Sequence, residues 1–258
     1  MQIILSLIGI SWKMQREYRA NFWMEMVFNG LMMASDFFLL YFVMRAFPII
    51  GGWSIGEIAL LFSIMEVGYG AYRIFGEGVH RFEELLLTGR FDGLMVRPMG
   101  LIPQLLLQKV DWKRMGNIFE GFAVGAFGLS QIPDWDISFL GLYVVLIIAS
   151  IIINFLINLI LAAVAFWTIK NSDLTVLAFY ATRTAASYPA SIYPSVIRYL
   201  LTFVIPLATV GYYPMAFHFG KTDSLIALFA PWFAICGLIP VCLGIWKLGI
   251  RRYASTGT

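Results

Sequence analysis

Six ionisable side chains stand within otherwise apolar stretches of this sequence: Glu25, Asp36, Glu66, Arg73, Glu120 and Arg183. A charge in hydrocarbon costs about 2.5–3.5 kcal/mol even on the mildest insertion scale, so such residues mark functional positions by default. Glu25 and Asp36 are eleven residues apart. At 100° per residue they face the same way on a helix, separated by roughly 16 Å along its axis. Glu66 and Arg73, seven apart, again share a face. Four acids against two bases favour a cationic or zwitterionic substrate if they line a path, with Glu25, Asp36, Glu66 and Arg183 as the candidate path residues. The competing reading is that they pair with one another, or with a neighbouring subunit, and hold helices together.

Other residue patterns suggest chemistry and fail on spacing. Gly220-Lys221-Thr222 resembles the end of a phosphate-binding loop, but that motif needs a glycine five positions earlier, where this chain has Met215. Asp134-Trp135-Asp136 resembles a metal-binding acid pair, yet it stands alone in a short loop where aspartates cap helices. There are only two histidines and two cysteines. Cys236 and Cys242 share one apolar segment and read as small hydrophobes. No catalytic constellation, metal site or nucleotide motif emerges, so the chain is expected to be neither an enzyme nor a cofactor carrier.

The elements that must position the six charges follow from composition. The chain has 258 residues, 60% hydrophobic and only 13% charged, with a mean hydropathy of +0.80. A soluble domain carries about 25% charge, so this is an all-α polytopic membrane protein. The net charge of +3 says nothing in favour of nucleic acid. A crossing helix needs about 20 apolar residues, and six segments qualify: 22–47, 56–76, 114–131, 138–167, 172–188 and 225–248. Residues 1–20 pattern as an interfacial amphipathic helix, with Ile4, Leu7, Ile8 and Trp12 on one face and Lys13, Arg16 and Arg19 following. With six spans, Arg45, Arg183, Arg198 and Lys221 lie outside or within the membrane. The other fourteen of the 18 basic residues fall on one side, which places both termini in the cytoplasm.

Two soluble pieces remain. One is the cytoplasmic stretch 77–113. The outer stretch 188–224 holds Pro189, Pro194, Pro206 and Pro214 around Arg198. Proline breaks helices, and the apolar pieces between are too short to cross. They read as a re-entrant hairpin whose broken backbone is shielded by protein.

Three stretches carry a family resemblance. GRFDGLMVRPMG is similar to a Gly-x-x-Asp-x-x-Leu-x-x-Arg-Pro pattern, here Gly89, Asp92, Arg97 and Pro98, with Leu94 one place early. YPASIYPSVIRYLLTFVIPLATVGYYP is similar to a proline-punctuated outer hairpin, and IRRYASTGT to an Arg-Tyr-x-Ser-x-Gly tail. Together with the span plan, the chain resembles the permease subunits of type II ABC exporters, within the bacterial ABC-2 family of permease components.

The resemblance implies a transmembrane subunit of an ATP-driven exporter in the bacterial cytoplasmic membrane. It implies two separate ATPase subunits that hold ATP and Mg, a second permease, same or related, and contact with membrane lipid. It further implies that the loop after the second span contains a coupling helix docking on the ATPase. Arg81, Phe82, Glu83, Leu85, Leu86, Gly89, Arg90, Phe91, Asp92, Arg97 and Pro98 are the coupling candidates. Phe82, Leu85 and Leu86 fall on one helical face with acids opposite, which is expected to be the exposed docking surface. Gly89 is positioned to stop that helix. The implied substrate is amphipathic, either cationic and drug-like or lipid-like. The rival reading, an ATP-independent secondary transporter, calls for paired broken helices in inverted repeats, and only one broken region is evident.

Overall fold

A computed structural model describes residues 17, 19–133, 135–168 and 183–253. The interfacial helix expected over 1–20 lies almost entirely outside the described residues, as do most of the expected span 172–188, Lys170, Asp134 and the tail after Tyr253.

The order begins with α1 (Arg19–Ala46), then a two-residue hairpin pairing Ile49–Ile50 with Trp53–Ser54. Gly51 (φ 59°) and Gly52 (φ 84°) make its turn, a left-handed conformation that side chains resist. Ser54 then caps α2 (Ile55–Phe75) in a capping box with Glu57. The stretch 77–113 contains four short helices, α3 (Glu77–His80), α4 (Phe82–Leu87), α5 (Arg90–Met95) and α6 (Leu101–Gln108). A 3-10 turn at Trp112–Arg114 leads into α7 (Met115–Ser130), followed by α8 (Ile137–Thr168). The proline-rich stretch 188–224 includes α9 (Ser195–Tyr199), a π-type turn at Leu200–Val204, a 3-10 turn at Leu207–Thr209 and α10 (Tyr212–His218). The chain closes with α11 (Leu225–Arg252).

Helix α2 is the hub. It is apolar all round, and a helix of that kind belongs inside; it packs against α1, α7, α8 and α10. Its contact with α7 is made by glycines that bring the two backbones together. A Cβ on Gly128 would lie 2.9 Å from the Gly56 carbonyl oxygen, and one on Gly121 would lie 2.7 Å from the Val67 side chain. Gly116 does the same against α1, where a Cβ would meet the Met26 carbonyl oxygen at 2.0 Å.

Four helices, α1, α2, α8 and α11, are long and apolar enough to cross a membrane. The outer pieces Ser195–Val204 and Leu207–His218, meeting at 83°, add a fifth if counted as one span. The six expected spans are therefore not all reached among the described residues. The third, α7, has 16 residues, roughly 24 Å against a hydrocarbon core of about 30 Å. The proline-rich outer stretch is broken where expected. Pro206 sits at the bend and Pro214 in the first turn of α10. Leu207, Ala208, Thr209 and Val210, at the break, are all buried.

Helix α1 is largely bare: Trp23, Met24, Phe28, Met32 and Phe42 are exposed and only a few residues such as Leu40 and Met44 are buried. Cys236 is likewise exposed, while Cys242 is buried.

Candidate functional site

The six intramembrane charges divide into two groups. Glu25, expected on the substrate path, sits toward the start of α1 and pairs with Lys113 at 2.6 Å. Arg114 donates to the Asn29 side chain at 2.9 Å beside it, so Glu25 belongs to a clamp between α1 and the 3-10 turn. Arg73, expected to share its face with Glu66, instead donates to Glu77 at 2.9 Å.

The second group gathers at one depth. Asp36 is ten residues from the end of α1 at Ala46, Glu66 eleven from the start of α2, and Glu120 ten from the end of α7. These three helix ends lie together, because the β-hairpin joins α1 to α2 and Gly56 abuts Gly128. All three carboxylates thus stand roughly 15–16 Å from that end of the bundle. Arg183 reaches the same level: its guanidinium donates to the Glu66 carboxylate and lies 4.3 Å from the centre of the Tyr69 ring. Glu66 and Arg183 are both buried, and Asp36 is exposed on the bare side of α1. Glu120, absent from the expected path residues although its charge was evident in sequence, is within Coulomb range of Glu66, Arg183 and Asp36. Among the described residues no three His, Cys, Asp or Glu side chains are placed to hold a metal ion.

The loop over 77–113 corrects the expected docking face. Phe82, Leu85 and Leu86 do share one face of α4, but all three are buried. Phe82 packs on Phe91, Phe166 and Trp246 at 5.3, 5.0 and 5.1 Å between ring centres. The reason lies in helix length. α8 and α11 have 32 and 28 residues, about 48 and 42 Å, so both overshoot the hydrocarbon core. Their projecting ends carry Phe166 and Trp246, and burying a phenylalanine or leucine against them is worth about 1.5–3 kcal/mol each. Gly89 takes the expected stop, at φ 67°. Phe91 is buried under Tyr253 at 5.0 Å, so the first and third motif stretches meet.

What the loop does expose lies further on. Met95, Val96 and Met99 are exposed, Val96 at 84%, and Arg90, Arg97 and Pro98 beside them are exposed too. This turn is held in shape by Gln104, a buried side chain that donates to the Leu94 carbonyl at 3.0 Å and the Met99 carbonyl at 2.7 Å. A groove of about 270 Å³ runs alongside, lined by Arg90, Leu94, Arg97, Met99, Gln104 and Gln108. Sequence reading missed Gln104, since a lone glutamine gives no signal.

It also missed Glu77, the electrostatic centre of the loop, although its i,i+4 spacing to Arg73 and Arg81 was a usable clue. Besides Arg73, Glu77 accepts from Arg81 at 2.9 Å and lies 3.8 Å from Lys109. Burial alone would push its carboxyl up, but Arg73, Lys109, His80 and Arg81 bring it below the usual range. His80 is driven down to about 4 by burial and then by Arg73, so it stays neutral in the folded loop. In the unfolded chain it gains a proton below about 6.5, so acidification favours unfolding. The thermal midpoint in detergent is expected to fall between pH 6.5 and 4, and His80→Gln to flatten that fall. Equal slopes for both proteins would contradict this.

In the proline-rich stretch Arg198 donates to the Ala190, Ser191 and Tyr193 carbonyls at 3.1, 3.1 and 3.3 Å, tying α9 to the turn between Pro189 and Pro194. Lys221, from the apparent phosphate motif, pairs with Glu57 at 2.9 Å and lies 4.9 Å from the Trp53 ring. It is a clamp on the start of α2.

Comparison with known proteins fits this architecture. Searches of curated proteins and of solved structures find no match. The pattern of one protein family, described as ABC-2 family transporter protein, matches residues 31–257, which takes in the charged cluster, the loop 77–113 and the proline-rich stretch 188–224. The chain therefore belongs to the ABC-2 transporter family, the multi-pass membrane permeases of ABC transporters.

Proposed function

We propose that this chain is the permease subunit of an ATP-driven exporter in a bacterial cytoplasmic membrane, with both termini cytoplasmic. It works with two ATPase subunits, which hold ATP and Mg, and a second permease, same or related. The observation that carries this reading is the exposed turn Met95–Met99, fixed by Gln104 on the cytoplasmic loop of an ABC-2 family chain. Apolar tips rimmed by Arg90 and Arg97 make a patch suited to reversible docking. Phe82, Leu85 and Leu86 form the rigid base beneath it. A push on the turn passes through α4 and α5 to the ends of α8 and α11, on which they rest.

The bare face of α1, the least buried of the four long helices, with exposed Trp23, Phe28, Met32 and Phe42, is where the second permease sits. The bent outer stretch acts as a re-entrant hairpin in the outer leaflet, with its break buried as such hairpins require. An amphipathic substrate, cationic or lipid-like, leaves past it.

Affinity purification of the tagged chain from its native membrane in mild detergent tests the reading. An ATPase subunit is expected in the eluate, with a second permease copy or relative. A chain that elutes alone from a detergent known to preserve such complexes would overturn it.

A further inference from the structure

Among the described residues, this cluster contains more buried acceptors than donors to meet them. Glu66 gives one carboxylate oxygen to Arg183, while its other oxygen, Oε2, is buried and has no partner. Both oxygens of Glu120 are buried without a partner. One turn before Glu120, on the same face of α7, Asn117 is 1% exposed and its Oδ1 is unpartnered too. Asn117 packs on Gly70, and Gly70 is one turn from Glu66 on α2. These oxygens therefore line one seam between α2 and α7. Counting charge among the described residues, Asp36, Glu66 and Glu120 face one guanidinium at this level, that of Arg183, because Arg73 is engaged by Glu77. A buried acceptor without a donor costs about 1–3 kcal/mol, more if charged, so a seam of four is built for something that brings donors and positive charge.

We propose that this seam binds the cationic group of the transported substrate, an organic cation such as an amine, with Glu120 as its main contact. Asp36, on the exposed side of α1, stands at the entrance, and Arg183 holds Glu66 in place. The proposal rests on the permease reading above. An organic cation fits better than a metal ion, because the carboxylates are spread along the seam and no three are close enough to share one ion.

The test uses the purified complex in lipid nanodiscs without ATP, with tetraphenylphosphonium as probe. Its charge is permanent, so binding reports the site rather than the protonation of the ligand. Triphenylphosphine oxide, neutral and of similar bulk, is the control. Glu120→Gln is expected to weaken tetraphenylphosphonium binding at least about tenfold, which is about 1.4 kcal/mol. Glu25→Gln, at the Lys113 clamp, is expected to leave it unchanged. If Glu120→Gln does not elute as a folded complex, Asp36→Asn carries the test, because that side chain is exposed and its loss leaves no buried gap.

Binding that is indifferent to Glu120→Gln in a folded complex would overturn the proposal. Equal binding of the neutral control would do the same, by showing a merely greasy pocket and leaving the acids as helix glue. The two readings fail separately. A complex that retains its ATPase but binds no cation removes this proposal alone. A chain that binds the cation through Glu120 but never captures an ATPase removes the ATP-driven reading and keeps the site.

Discussion

Arg183→Leu is expected to cost about 3–5 kcal/mol and to remove most of the folded protein from the membrane. Glu66 is 2% exposed and one of its carboxylate oxygens accepts from Arg183. Without the guanidinium that carboxylate is a bare charge in a low-dielectric core, and native proteins have only about 5–15 kcal/mol in hand. The double change Arg183→Leu with Glu66→Leu takes out both charges, and apolar pairs in place of buried ion pairs are often neutral. It should recover most of the monodisperse peak in fluorescence-detected gel filtration. Arg183→Lys should fall between, since lysine keeps the charge but loses the planar stack on Tyr69. A single Arg183→Leu variant as stable as the parent would show that the pair is not what holds α2 to this segment.

Phe82→Ala is the second large effect, at about 3–5 kcal/mol. The ring sits in a cluster with Phe91, Phe166 and Trp246, and its loss opens a cavity between the loop and the ends of α8 and α11. The loop is expected to loosen, with faster proteolysis between residues 82 and 98 and a lower thermal midpoint. ATPase capture would fall as a consequence. Val96→Asp is the contrasting change: Val96 is 84% exposed, so stability should move by less than about 0.5 kcal/mol while ATPase capture is lost. The two variants separate a base from a docking tip. If Phe82→Ala left the midpoint untouched and abolished capture, Phe82 would itself be a docking residue and the burial described above would not hold in the complex.

The two sets of residues differ in how readable they were. Helices α1, α2, α8 and α11 follow from length and hydropathy, the break at Pro206 from proline, and the stop at Gly89 from glycine, all local properties of the chain. The amphipathic pattern of Phe82, Leu85 and Leu86 was equally visible. Its direction was not, because what covers it comes from residues 166 and 246, and periodicity marks an apolar face without naming its neighbour. The same holds for Glu66 and Arg183, which are 117 positions apart. Spacing within one helix suggested Arg73 as the partner for Glu66, but Glu77, one turn beyond Arg73, took it. Glu25 and Asp36 share a helical face as computed, yet end in different company because α1 meets the 3-10 turn at one level and Glu120 at another.

The most direct test of the central claim is a contact measurement. Val96→Cys, in a chain with Cys236→Ser to remove the exposed native thiol, is labelled with a short photoreactive crosslinker and irradiated in native membranes. The account predicts one dominant adduct containing an ATP-hydrolysing subunit, with none from a Phe229→Cys control placed in the outer half of α11. No adduct at position 96, or adducts with lipid alone, would contradict the claim that this turn is where the permease meets its ATPase.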